Sequence, residues 1–353
     1  MRSFFSIAGF PLLRLAAAAL AVAAHFGSAA PPALAADPPV YAFEWGTFGT
    51  GDGQFNRPVD VTYAPDGTVY VCDALNHRVQ RFTAQGIFLG KFGSFGSGPG
   101  QFKTPFQIAF DSQGLAYVAD QNNQRIQKFT AGGAYLGEWG SAGSEEGQFQ
   151  GPWGIVVDGA NNVYVTEEVN HRVQKFTNTG TFLTSWGGFG AANGQFNMPR
   201  GIGVGLDGTI YVSEAQGNRV QRFTPNGAFV MKWGTTGSSK GNPDPSPPGT
   251  FIHAYGLDIR NDGHVFVADW DIHPHAGRVQ EFTADSLFVT QWRGSGSGPG
   301  EFWEIYDVDP APNGLIYTAD KLNHRIQVFT FDATALPEPP HRSTWAQIKT
   351  RFR

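Results

Sequence analysis

Two sets of side chains in this sequence have the types and spacing to do chemistry. Asp271, His273 and His275 place one oxygen and two nitrogen donors in a single short stretch, with His253 and His264 nearby in the chain. If these side chains converge, the donor set suits zinc or another divalent ion such as calcium; the alternative is a polar loop without metal. The second set recurs along the chain, a few residues after each copy of Gly-x-Phe: Val59-Asp60, Phe106-Gln107, Trp153-Gly154, Arg200-Gly201, Tyr255-Gly256 and Tyr306-Asp307. Asp60, Phe106, Gln107, Trp153, Arg200, Tyr255, Tyr306 and Asp307 would form an aromatic ring with few charges, able to grip a polar ligand between Arg200 and the two aspartates. Otherwise they cap strands or face solvent. Neither set contains a recognisable nucleophile motif.

The elements that position these residues follow from the repeat. Gly-x-Phe occurs at Gly53, Gly100, Gly147, Gly194, Gly249 and Gly300, with spacings of 47, 47, 47, 55 and 51 residues. Units of that size, each read as four short strands, predict the blades of a propeller. In the third unit the strands are Gly154–Val157, Asn162–Val165, Arg172–Phe176 and Thr181–Trp186. Asp66-Gly67, Asp207-Gly208, Asp262-Gly263 and Asn313-Gly314 predict hairpins with two successive left-handed residues between the first two strands. Two aromatic columns, Phe82 to Phe329 and Tyr70 to Tyr317, supply a core. Each buried ring contributes roughly 2 to 3 kcal/mol before entropy.

The sixth unit lacks its last strand, whereas Tyr41-Ala42-Phe43-Glu44-Trp45-Gly46 stands as an orphan strand ahead of the first unit. It is expected to complete blade six and close the ring, which removes both free sheet edges. The fold class is therefore all-β: a six-bladed β-propeller of four-stranded antiparallel blades, closed by the N-terminal strand. The two insertions, Ser238–Pro248 and the turn from Trp270 to Gly277, both fall in blade five.

Residues 1–36 read as a signal peptide, with Arg2 and Arg14 ahead of the apolar run Leu15–Ala24 and a small-residue cleavage pattern at Ala33-Leu34-Ala35. That run is too short to span a bilayer. The expectation is export, to a bacterial periplasm or beyond. Residues 37–335 would form the propeller, and 336–353 a Pro-rich linker with a basic tail. The tail carries Trp345, Ile348 and Phe352 among Arg and Lys, which suits contact with an anionic surface or partner, or a disordered end. Cys72 is the single cysteine, so neither an intrachain disulfide nor a cysteine-based zinc site can form. Residues 37–335 hold 29 Asp plus Glu against 19 Lys plus Arg, a formal charge of −10, which disfavours nucleic acid.

Asn76-His77-Arg78, Asn170-His171-Arg172 and Asn323-His324-Arg325 each lead into Arg-(Val/Ile)-Gln-x-Phe, with an acid ahead at Asp73, Glu167 and Asp320. This pattern, echoed in the other units over residues 40–330, resembles the NHL repeat. Because the acid and the arginine recur in every blade, they are expected to organise turns, and the histidines to belong to the motif and not to a metal site. A more distant resemblance, to the peptidyl-hydroxyglycine amidating lyase propeller, implies a zinc held by histidines that follow proline. Here the matching positions read Pro58-Val59, Pro105-Phe106, Pro152-Trp153 and Pro199-Arg200, without histidine. The acidic body, the aromatic ring and the lack of a nucleophile motif point to a monomeric scaffold that binds a protein, peptide or glycan through its channel face; the alternative, which the lyase resemblance implies, is a metal-dependent lyase or hydrolase. A RING-type ligase is excluded by the single cysteine.

Overall fold

The computed structural model describes residues 36–237, 247–270 and 277–332, the side chain of Arg293 excepted. Asp271, His273 and His275, the basic tail and the leader before Ala36 lie outside the described residues. Five blades each take four consecutive strands, ordered along the sheet as along the chain. Blade one is Pro58–Tyr63, Val69–Asp73, Arg78–Phe82 and Phe88–Phe92. Blade three is Pro152–Val157, Val163–Glu167, Arg172–Phe176 and Phe182–Gly187. The sixth sheet pairs Val40–Trp45 antiparallel with Arg325–Thr330, Val40 opposite Thr330 and Trp45 opposite Ile326, as the orphan strand predicted. Among the described residues the helical content is two single 3-10 turns, Ala74–Asn76 and Gln121–Asn123.

The hairpins differ from expectation in one respect. Gly67, Gly208, Gly263 and Gly314 have φ of 78° to 89°, but the Asp or Asn before each stays at negative φ. Gly67 N–H donates to the Ala64 carbonyl at 2.9 Å, and Ala64 N–H to that of Thr68 at 2.8 Å. This is a type I turn completed by one left-handed glycine. The aspartate explains the choice, because its Oδ1 accepts Thr68 N–H at 2.9 Å and so ties the residue to the right-handed side.

Blade joins onto blade through the aromatic columns. The ring near the end of each outermost strand lies against the third-strand phenylalanine of the next blade: Phe92 on Phe129 at 5.0 Å, Trp139 on Phe176 at 5.9 Å, Trp186 on Phe223 at 5.8 Å. Trp45 makes the same contact with Phe82 at 5.6 Å, so the closing strand reproduces an ordinary blade interface. The motif acid and arginine organise the turns. In blade one Asp73 accepts from Asn56 N–H, Asn76 and Arg78 at 2.7 to 2.8 Å, while the Arg78 guanidinium donates to the carbonyls of Thr50, Gly51 and Gln54.

The motif histidines latch one blade to the next. His77 Nδ1 accepts Thr104 N–H at 3.1 Å, His171 Nδ1 accepts Met198 N–H at 3.2 Å, and His324 Nδ1 accepts Arg57 N–H at 3.1 Å. Each imidazole also packs on an exposed phenylalanine of the next blade, Phe95, Phe189 or Phe48. These acceptors must be neutral, and burial lowers the pKa of all three. Their stabilisation is therefore complete above a pH of about 6.5 and is lost as pH falls below it, because the unfolded chain takes up the protons first. Blade two already uses an amide here, with Gly151 N–H donating to Gln124 Oε1 at 2.8 Å. Replacing all three histidines with glutamine should flatten the fall in urea midpoint between about pH 7.5 and 5; an unchanged slope would show that the latches do not titrate.

Candidate binding site at the channel mouth

Every innermost strand carries a β-bulge near its start, where the pairing slips between Pro58 and Asp60, Pro105 and Ile108, Pro152 and Ile155, Pro199 and Ile202, Ala254 and Leu257, and Ile305 and Asp307. A bulge re-aims side chains. Here it brings rings from separate blades together: Phe106 meets Trp153 at 5.5 Å and Tyr306 at 6.4 Å, Trp153 meets Tyr306 at 5.9 Å, and Tyr306 meets Tyr255 at 4.7 Å. Blades two, three, five and six thus touch across this end of the channel, which the rings close. The corresponding position in blade one is the buried Val59.

Arg200 is the one charge at this position in the six blades. Its guanidinium lies 4.2 Å from the Tyr255 ring centroid and 5.8 Å from that of Trp153, and Nη2 donates to Glu168 Oε1 at 3.0 Å. Nε and Nη1 are buried with no hydrogen-bond partner among the described residues. Burial opposes the Arg200 charge, but Tyr255 and Glu168 outweigh it and raise the pKa. Burial raises Tyr255 and pushes Tyr306 up to about 12, so both phenols are neutral. Lys321 Nζ sits 4.0 Å from the Tyr306 ring centroid and pairs with Glu304 at 2.9 Å. Trp270 stacks on Tyr255 at 5.8 Å, and His253 packs on both rings, at 5.3 Å from Trp270 and 6.0 Å from Tyr255.

The other three predicted residues form a different layer. Asp60 Oδ2 accepts Ile108 N–H at 3.2 Å, Gln107 Oε1 accepts Ile155 N–H at 2.8 Å, and Asp307 Oδ2 accepts Val61 N–H at 3.2 Å. Each side chain therefore stitches its innermost strand to the next. Gly154, Gly201 and Gly256 take this position in blades three to five; a Cβ there would lie 2.1 to 2.4 Å from an atom of the following blade. Burial raises the pKa of both Asp60 and Asp307, and Asp60 raises Asp307 further. Toward the other end, a cavity of about 220 Å³ opens between Thr62, Tyr63, Phe110, Asp258 and Asp309.

The structure brings Phe106, Trp153, Arg200, Tyr255 and Tyr306 together and sets Asp60, Gln107 and Asp307 behind them. Glu168, Lys321 and Glu304 were not legible as site residues. The usable signal was that the residue after each motif acid, namely Ala74, Gln121, Glu168, Ala215, Trp270 and Lys321, varies as strongly as the bulge position.

A metal centre built on all five blade-five donors is not supported. His253 flanks the start of the innermost strand Ala254–Ile259, whereas His264 follows that strand's hairpin and pairs with Glu281, so the two sit at opposite ends. Among the described residues no group of three or more His, Cys, Asp or Glu is arranged to hold a metal ion. The zinc set implied by the amidating lyase resemblance does not fit either, since its proline-histidine positions hold Val59, Phe106, Trp153 and Arg200.

Six four-stranded antiparallel blades, closed by the N-terminal strand and joined by acid–arginine turns, define an NHL-repeat β-propeller. The family model described as NHL repeat matches residues 55–82 and 149–176. Among solved structures the chain is similar to a streptogramin B lyase, at 16% identity over 83% of this chain and 98% of that one, with a TM-score of 0.55. It is also similar to a gluconolactonase from Xanthomonas campestris, at 13% identity over 85% and 99% with a TM-score of 0.56. A virginiamycin B lyase from Staphylococcus aureus follows at 15% identity over 84% and 99% with a TM-score of 0.54. At such identities the likeness is one of fold. No curated protein matches the chain.

Proposed function

We propose that this propeller is an exported binding module that takes a protein, peptide or glycan at the channel mouth. The observation that carries this reading is Arg200, a largely buried cation held between two aromatic rings with two buried donor groups unmatched among the described residues. An unmatched buried donor costs on the order of 1 to 3 kcal/mol, more when charged, and a ligand acceptor recovers it. Aromatic rings beside a fixed cation also suit recognition, since they supply contact area at small entropic cost. The signal-like leader supports a role outside the cytoplasm.

A metal-dependent lyase or hydrolase is the second reading, favoured by the lyases and the lactonase among the structural relatives. It requires ligands from Asp271, His273 and His275. Metal analysis of the purified protein with and without a His273→Ala/His275→Ala change separates the two: stoichiometric metal lost in the variant supports the enzyme. For the binding module, peptide and oligosaccharide libraries should contain compounds that raise the melting temperature of the wild type and leave an Arg200→Met/Glu168→Gln variant unmoved. Compounds that stabilise both proteins equally would place binding elsewhere.

A further inference from the structure

We infer that the anchoring group of the ligand is a carboxylate, and that it takes the place of Glu168 on Arg200. This rests on the channel mouth being the binding site. Arg200 Nε and Nη1 have no hydrogen-bond partner among the described residues, and neither does Nε1 of Trp153, whose ring lies 5.8 Å from the guanidinium, or of Trp270, whose ring stacks on Tyr255. Unpartnered indoles also occur at Trp45, Trp139, Trp186, Trp233 and Trp292, but those form one repeat column of the outer strands. The mouth differs in joining such donors to a buried cation. Its carboxylates are already engaged, Glu168 with Arg200 and Glu304 with Lys321. The two ion pairs balance in charge, so what the mouth offers a newcomer is N–H donors, and a positive charge only where an incoming anion takes over a carboxylate's place.

Glu168 behaves as a placeholder. Its side chain is 18% exposed against 11% for Arg200, and it engages the guanidinium through one oxygen on one nitrogen, Nη2. Nε and Nη1 make no hydrogen bond among the described residues, with the Tyr255 phenol close enough to couple to the guanidinium. A planar carboxylate using two parallel N–H groups makes the stronger, bidentate contact and can displace a monodentate partner. Until then Glu168 keeps the buried guanidinium paired, which a low-dielectric site demands. The rings of Trp153 and Tyr255 stack on this cation, so the body attached to the carboxylate would be flat and apolar or a peptide C-terminus with such a side chain. Lys321, over Tyr306 and paired with Glu304, adds a second cation to the same mouth.

The test titrates the full-length protein with benzoate, benzamide and inorganic phosphate, following the indole resonances of Trp153 and Trp270. Benzoate should bind and benzamide should not. Glu168→Gln, which keeps the shape and removes the competing charge, should tighten benzoate about tenfold, and Arg200→Met should abolish binding. Thermal melts of both variants establish that they fold. Equal binding of benzamide or phosphate, no binding of benzoate, or an unchanged affinity in Glu168→Gln would overturn the assignment. If a neutral oligosaccharide occupies the mouth where benzoate does not, the carboxylate anchor fails and the binding reading stands. If benzoate binds without moving either indole, both fail.

Discussion

Deleting residues 40–46 should cost the protein its closed ring, with loss of soluble yield or a large drop in urea midpoint against a control that removes only residues 36–39. The closing strand carries the whole sixth blade edge: five register pairs with Arg325–Thr330, the Glu44–Arg325 ion pair at 2.8 Å, and Trp45 against Phe82 and Tyr317 at 5.6 and 6.2 Å. Gly46 adds a close approach, since with φ at 103° a Cβ would fall 2.5 Å from the Phe55 ring. Trp45 is half-buried, so its loss alone costs part of the about 3 to 5 kcal/mol lost with a fully buried tryptophan, and whole domains hold only about 5 to 15 kcal/mol. Without the strand, blade six exposes the edge of Arg325–Thr330, which invites aggregation. Trp45→Ala is the milder version and should resemble Trp186→Ala, which removes the same ring at an internal blade interface. A deletion variant as stable as the control would show that the ring does not need its clasp.

The second large effect is a loss of stability as pH rises from acid toward neutral. Asp60 and Asp307 are almost fully buried neighbours in the stitching layer. Burial, offset in part by hydrogen bonds, pushes Asp60 up to about 7, while burial and the Asp60 charge raise Asp307 well above the usual range. A carboxyl whose folded pKa is raised contributes its stability in full below its ordinary pKa and loses it as pH rises through the folded value. The propeller should therefore weaken as pH climbs from about 4 to about 7, at about 1.4 kcal/mol per unit of elevation. Asp60→Asn keeps the acceptor for Ile108 N–H and cannot ionise, as Gln107 already shows in the next blade by accepting Ile155 N–H. Relative to the wild type, its urea midpoint should lose less between about pH 4 and 7. Parallel slopes would mean that the pair is not the titrating element, leaving Asp258 and Asp309 as the alternatives.

The ring was legible because every blade needs the same parts: a phenylalanine after each Gly-x, an acid and arginine at each turn, an aromatic at each outer strand. Closure was legible from an absence in unit six matched by a surplus before unit one. The hairpins were read one residue too left-handed, because an Asp-Gly pair alone does not say whether the aspartate bonds forward to Thr68, as Asp66 does. Phe106, Trp153, Arg200, Tyr255 and Tyr306 stood out as departures from the repeat, and the bulge gathers them. Asp60, Gln107 and Asp307 lie one residue further on, where the side chain meets the neighbouring blade. The Arg200–Glu168 pair joins blade four to a turn of blade three, a tertiary contact that no single repeat displays.

The most direct measurement of the central claim uses the nine tryptophans as built-in reporters. Indole N–H resonances are recorded while a peptide or glycan found by thermal shift is added. The account predicts that Trp153 and Trp270 move first and furthest, while Trp45, Trp139, Trp186, Trp233 and Trp292 in the outer strands stay still. Saturable shifts confined to the outer-strand indoles, with Trp153 and Trp270 unmoved, would contradict binding at the channel mouth.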